Sequence, residues 1–146
     1  MNAIGTAHAA ILTRLTKLFI RSLSEEVVRC QCPLRLDPYN EPKPDLAVFR
    51  PRSDDYFHSP PSADDVLLLI EVSDTSLAYD RTVKIPLYAK FGIPEVWIVD
   101  VAATTVEVSR DPKYEQYPPP SHRTTGFLSP SSISSIDIDI NAIFVK

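Results

Sequence analysis

Along residues 8–24 apolar side chains return every three or four positions, at Leu12, Leu15, Phe19 and Leu23, with Ile11 and Leu18 widening the stripe. That is the helical period, so an amphipathic helix over His8–Ser24 is predicted to lay this stripe on a core. Arg14, Lys17 and Arg21 form a separate basic stripe, and Thr6 stands where an N-cap is expected. From Val27 to Leu36 the pattern turns extended. Pro33 has no amide hydrogen to give, which marks this strand as an edge or as interrupted. A turn-rich connection with three prolines, Asp37 to Pro44, leads to the short apolar run Leu46-Ala47-Val48-Phe49, read as a second strand.

Residues 50–65 are polar and centred on Ser59-Pro60-Pro61-Ser62. The run from Val66 to Val72 is apolar almost without a break, the pattern of a central strand covered on both faces. Ser76 to Phe91 returns to helical spacing through Leu77, Val83, Leu87, Tyr88 and Phe91. Pro86 lies inside it and predicts a kink or two abutting helical pieces. Gly92 is the expected C-terminal cap. Glu95 to Val101 reads as a second core strand, with Thr104 to Arg110 hairpinned to it. The signal weakens over 111–135, where prolines and serines dominate and surface connections with short strand pieces are expected. Ile136, Ile138 and Ile140 then alternate with Asp137 and Asp139 as in a half-buried strand, with Ile143-Phe144 packed behind. The order of helix, strands, helix and strands, without an internal repeat, predicts one α/β domain over residues 1–146.

Composition narrows the function. With 14 prolines and only 3 glycines, all scattered, there is no phosphate-cradling loop and no dinucleotide fingerprint. Kinases, NTPases and Rossmann dehydrogenases are thereby set aside, and no nucleotide cofactor is expected. No apolar run approaches the ~18–20 residues of a membrane span. The N-terminus has no basic region followed by a cleavable apolar core, so neither export nor membrane attachment is expected and the cytoplasm is the expected compartment. A formal net charge of −4 argues against a general basic coat for nucleic acid but leaves room for a local patch. Cys30 and Cys32 are too close for an unstrained disulfide and lack further zinc ligands, so two buried thiols in a reducing compartment are expected.

Chemistry gathers at three positions. Asp45 opens a strand directly after Pro44, Glu71 lies near the end of the most apolar strand, and Lys84 falls in the helix that follows. Two carboxylates on neighbouring strands, with the backbone carbonyl of Val72, make an oxygen-only pocket suited to Mg²⁺ or Mn²⁺. A lysine facing that pocket can position a water for attack on a phosphodiester. Each residue also has a plainer reading. Asp45 after proline is ordinary turn chemistry, Glu71 can pair with a surface arginine, and Lys84 can lie along its helix with its ammonium in water.

The segments Pro44-Asp45-Leu46-Ala47-Val48 and Leu69-Ile70-Glu71-Val72-Ser73-Asp74-Thr75-Ser76-Leu77-Ala78-Tyr79-Asp80-Arg81 closely resemble the Uma-type family of restriction-endonuclease-like proteins. So do Lys84 and the run from Tyr88 to Asp100. That family belongs to the PD-(D/E)xK nuclease superfamily. The resemblance runs from about Gly5 to Arg110 and more loosely to the end. It implies a restriction endonuclease-like domain, a central mixed β-sheet flanked by helices, that hydrolyses phosphodiester bonds of DNA with Mg²⁺ or Mn²⁺. Asp45 and Glu71 are the implied metal ligands. Lys84 is the implied replacement for the lysine usually found two residues after the second acid, where this chain has Ser73. His8 matches a family histidine and is a candidate contact to a phosphate or the site, its plainer reading being an ordinary helix-start histidine. Asp80 is expected to cap the lysine helix or hold Lys84, and Glu41 to stand as an outer acid. Lys43, Arg50, Arg52, Arg81 and Lys90 surround the motif and are candidate phosphate contacts. Relatives generally carry a further helix and strand with a Gly-Glu pair before the His8 helix, so the chain is expected to be short by one unit. Self-association into a homodimer follows by analogy. The alternative is a nuclease-fold binding or scaffold module that does not cleave.

Overall fold

In the computed structural model, which describes residues 5–146, the first apolar stripe meets a sheet. Helix α1 (Thr6–Ser22) buries Ile11, Leu15 and Phe19. Thr6 is the first helical residue rather than the cap; Gly5 holds the cap position and no side chain closes it. The sheet runs in chain order: β1 (Val27–Cys30), β2 (Leu46–Phe49), β3 (Val66–Ser73), β4 (Glu95–Asp100), β5 (Thr105–Arg110) and β6 (Ser121–Arg123). Neighbours are antiparallel except β3 and β4, which run parallel. A parallel pair needs a crossover, and the helical stretch 77–90 supplies it. This is the mixed α/β architecture expected from the sequence.

Two apolar layers cover the sheet. On one face Phe19 and Leu15 of α1 meet Leu46, Leu68, Ile70, Val72, Trp97 and Val99, and the Phe19 and Trp97 rings lie 5.7 Å apart. On the other face Tyr88 and Ile93 pack on Ala47, Phe49, Leu69 and Val96. Every residue of β3 is therefore buried, including Glu71 and Ser73. At the edge, β1 stops at Cys30 and Gln31 turns to φ +51°, so the chain leaves the sheet before Pro33. That turn also ends the strand period between the cysteines. Both are free, Cys30 exposed and Cys32 half-buried, which corrects the expectation of two buried thiols.

The second helical region is broken, but before its proline. Helix α2 (Leu77–Tyr79) widens into a π-helical turn (Asp80–Lys84) and then continues as α3 (Ile85–Lys90). Pro86 has no N–H for the carbonyl four residues back, so the preceding turn cannot close as an ordinary α-turn. The Ile85 N–H instead reaches the Asp80 carbonyl, five residues back. Gly92 then ends α3 at φ +72°, with the Ile93 N–H donating to the Tyr88 carbonyl at 3.1 Å.

The C-terminal region returns to the α1 face through β7 (Phe127–Leu128), β8 (Ile138–Asp139) and α4 (Ile140–Phe144). Ile136, Ile138 and Ile140 are buried as their alternation predicts, although the strand is only two residues long. A buried carboxylate ties this region to the sheet. Glu95 accepts from the Ser131 N–H at 2.8 Å and hydroxyl at 2.9 Å, and from the Trp97 indole, and pairs with Arg110 Nε at 3.0 Å. Replacing it strands several donors at once. Glu95→Ala is expected to lower unfolding free energy by about 3–5 kcal/mol, measured by urea denaturation; a loss below about 1 kcal/mol would mean that apolar contacts alone hold the C-terminal region.

Candidate active site

Strand register brings the two acids together. Leu46 pairs with Ile70, so one further step of the β2–β3 ladder sets Asp45 opposite Glu71. Residues directly opposite in an antiparallel pair share a face, with Cβ atoms about 4.5–5.5 Å apart. Glu71 belongs to β3, while Asp45 stands one residue before β2 begins, at the end of the sheet. Asp45 Oδ2 accepts the Val72 N–H at 2.8 Å. In a strand the N–H and C=O of one residue point to the same side. The Val72 carbonyl therefore also faces the gap where β2 has ended, beside the Asp45 carboxylate.

Each acid has its own supports. His8, one turn into α1, places Nε2 3.3 Å from Asp45 Oδ2. Glu71 is 2% exposed and both its oxygens hold protein donors: the Tyr88 hydroxyl on Oε1 at 2.7 Å and Lys84 Nζ on Oε2 at 3.0 Å. Burial pushes the Glu71 carboxyl up to about 7, although Lys84 and the Tyr88 hydrogen bond favour its charged form. For Lys84, lost hydration lowers the pKa, but the charges of Glu71, Asp80 and Asp45 outweigh it and leave the ammonium stabilised above its ordinary value. Tyr88 is raised by burial and by the neighbouring Glu71, so it stays a donor. Asp80, also 2% exposed, accepts the Ser73 and Ser76 hydroxyls on Oδ2, and its Oδ1 lies 3.7 Å from Lys84 Nζ.

Of the residues singled out from sequence, His8, Asp45, Glu71, Val72, Asp80 and Lys84 thus form one connected cluster. Others stand elsewhere. Glu41 and Lys43 are exposed in the connection before β2, and among the described residues neither side chain bonds to the cluster. Arg50 follows the far end of β2, about 15 Å along the strand from Asp45, where its Nε bonds the Asp64 carbonyl at 3.0 Å. Arg52 pairs with Asp54 at 2.8 Å. Lys90 is exposed at the end of α3. Arg81 turns toward β5 and pairs with Glu107. Together with Ile85, Pro86, Ile98 and Tyr117 it lines a cleft of about 620 Å³ on the other flank of the helical stretch, which contains neither acid. Two members of the cluster were not distinguished by sequence. Tyr88 sits in an apolar stripe, where its ring alone accounts for it, and the Ser76 hydroxyl gave no signal beyond its place near a helix start.

The donors that converge here are hard oxygens: two carboxylates and a backbone carbonyl. Among the described residues no group of three or more His, Cys, Asp or Glu stands close enough to hold a metal by side chains alone. The set fits an ion that keeps several waters, as Mg²⁺ and Mn²⁺ do, better than a thiolate- or imidazole-bound ion. A buried carboxylate whose visible partner is an ammonium is likewise a place where positive charge is stabilised. The sign of its pH dependence follows. Glu71 is raised from 4.5 to about 7, so the folded chain keeps this proton after the unfolded chain has lost it. The associated stability is full below the ordinary value and is lost as pH rises through about 7. Without divalent metal, the unmodified chain should lose about 3 kcal/mol relative to Glu71→Gln between pH 4.5 and 8. Urea unfolding of both proteins at the two ends of that range checks it; parallel stabilities would refute the burial argument.

Comparison with known proteins bears on the family and the fold. The Uma2 family, described as putative restriction endonucleases, matches residues 1–141. The structure is similar to the crystal structure of a putative nuclease belonging to DUF820 from Anabaena variabilis, with a TM-score of 0.72. That similarity covers 98% of this chain and 83% of the other at 15% sequence identity, so it establishes a shared fold. No curated protein matches the sequence. Among the described residues no helix is long and apolar enough to cross a membrane. With a family match over nearly its whole length and the fold of a solved relative, the chain belongs to the Uma2 family of restriction endonuclease-like proteins.

Proposed function

We propose that this chain is a divalent-metal-dependent endonuclease that hydrolyses phosphodiester bonds in DNA. The observation that carries the reading is the convergence of Asp45 and Glu71 at one end of the sheet, with Lys84 on the second acid. Asp45, Glu71 and the Val72 carbonyl would hold Mg²⁺ or Mn²⁺. When bound, such an ion lowers the pKa of a water and offsets charge on the attacked phosphate.

The chain's own groups prepare that chemistry. His8 donates from Nε2 to Asp45, while the Val72 N–H fixes the same carboxylate oxygen. Tyr88 fixes one oxygen of Glu71 from the buried side. Lys84 keeps its proton at neutral pH, so it serves as a donor that orients the attacking water rather than as the base that deprotonates it. Because the chain carries a net charge of −4, backbone contacts to DNA must come from local cations, with Lys43 and Lys90 exposed and outside any ion pair among the described residues.

One observation favours the rival reading of a binding module that does not cleave. Both oxygens of Glu71 already hold protein donors, so this carboxylate is satisfied without an ion. Incubation of supercoiled plasmid with the purified chain and Mg²⁺ or Mn²⁺ separates the two. Nicking should require the metal, fall by at least about 100-fold in Asp45→Ala and Glu71→Ala, and fall by a similar factor in Lys84→Met. Nicking that survives unchanged in both acid variants would overturn the assignment, and no nicking by a folded, metal-binding chain would establish the module.

A further inference from the structure

Glu71 cannot accept an ion on Oε2 while Lys84 stays there. Its other oxygen is held by the buried Tyr88 hydroxyl, and Lys84 Nζ lies 3.0 Å from Oε2 itself. An ammonium and a dication on the same carboxylate oxygen repel, so one must leave, and Lys84 is the partner that reaches solvent, with a side chain 22% exposed. The structure holds a second seat for it. Asp80 is 2% exposed, and its Oδ2 is occupied by the hydroxyls of Ser73 and Ser76. Its Oδ1 is buried without a hydrogen-bond partner and stands 3.7 Å from Lys84 Nζ. A buried carboxylate oxygen left unpaired is costly, and here it is left unpaired toward one particular cation.

We infer that Lys84 transfers from Glu71 to Asp80 when a divalent cation occupies the Glu71 carboxylate, which makes Asp80 a positioning residue for the catalytic lysine. The inference rests on the metal-dependent reading above. The distance to be closed is small. A shift of about 0.8 Å brings Nζ from 3.7 Å to hydrogen-bond range of Oδ1. The backbone suits the exchange, because Asp80 and Lys84 bound the π-helical turn, whose wider winding sets the two side chains side by side without pressing them into contact. Turns of this kind recur at functional sites. Ser73 acquires a role as well. Its hydroxyl helps lock the Asp80 carboxylate with Oδ1 toward the incoming ammonium. The transfer would keep Lys84 beside the carboxylates as a donor to water while vacating the oxygen that the ion needs.

Calorimetric titration of the full chain with Mn²⁺, with no DNA and no turnover, tests this. Asp80→Asn should weaken Mn²⁺ binding roughly tenfold, the scale expected when a ligand's outer support is lost. Lys84→Met should bind at least as tightly as the unmodified chain, and in that background Asp80→Asn should have almost no further effect. An equal loss in both backgrounds would overturn the inference, since Asp80 would then act on the ion directly. Absence of Mn²⁺ binding by the unmodified chain would remove the metal reading itself and this inference with it. Should Asp80→Asn not fold, the Lys84 Nζ resonance of ¹⁵N-lysine-labelled unmodified protein decides. It should shift and gain protection from exchange when Mg²⁺ is added, and an unchanged signal would refute the transfer.

Discussion

A single carboxylate inside a fully buried strand sets the terms for this half of the molecule. Glu71 lies in β3, the strand covered on both faces, and a charge there persists only with partners. The crossover helical stretch supplies both, Lys84 and Tyr88, from positions one helical turn apart. Lys84 in turn lies between Glu71 and Asp80, and Asp80 is fixed by two serines, one on β3 and one before α2. Remove the carboxylate and the inward-facing polar side chains of the crossover lose their purpose. The same burial pushes the Glu71 carboxyl up to about 7.

Much of this frame was legible in the residues. The unbroken apolar run of 66–72 marked β3 as central, because a strand with both faces covered needs no polar alternation. The α1 stripe and the Trp97 strand were equally clear, and both end up in one core with their aromatic rings in contact. β6 was not visible. Ser121-His122-Arg123 is polar, follows three prolines, and joins the sheet through backbone pairing with β5, which leaves no mark in a hydrophobic pattern. Pro86 announced a break in the second helix but not its form, since the missing N–H is felt by the turn before it.

The site divides in the same way. Asp45, Glu71 and Lys84 were visible because acids and a lysine stand out where a strand, a buried strand and a helix are expected. Their mutual placement depends on β2–β3 register, which sequence spacing does not contain. Arg50 shows the converse: five residues from Asp45 in the chain, it lies at the other end of a strand. Arg81 is adjacent to Asp80 in sequence, yet a helix turns consecutive side chains about 100° apart, so one faces the acids and the other the cleft on β5. Tyr88 stayed hidden because an aromatic ring on an apolar stripe needs no further explanation; only the structure shows where its hydroxyl points.

The central claim is that Asp45, Glu71 and the Val72 carbonyl form one cation site. Anomalous diffraction from crystals of the chain soaked in Mn²⁺ tests it most directly, because it reports position rather than activity. The account predicts a single strong peak within about 2.0–2.3 Å of oxygens from all three residues. A peak elsewhere, or none at this site while Lys84 remains on Glu71, would contradict it.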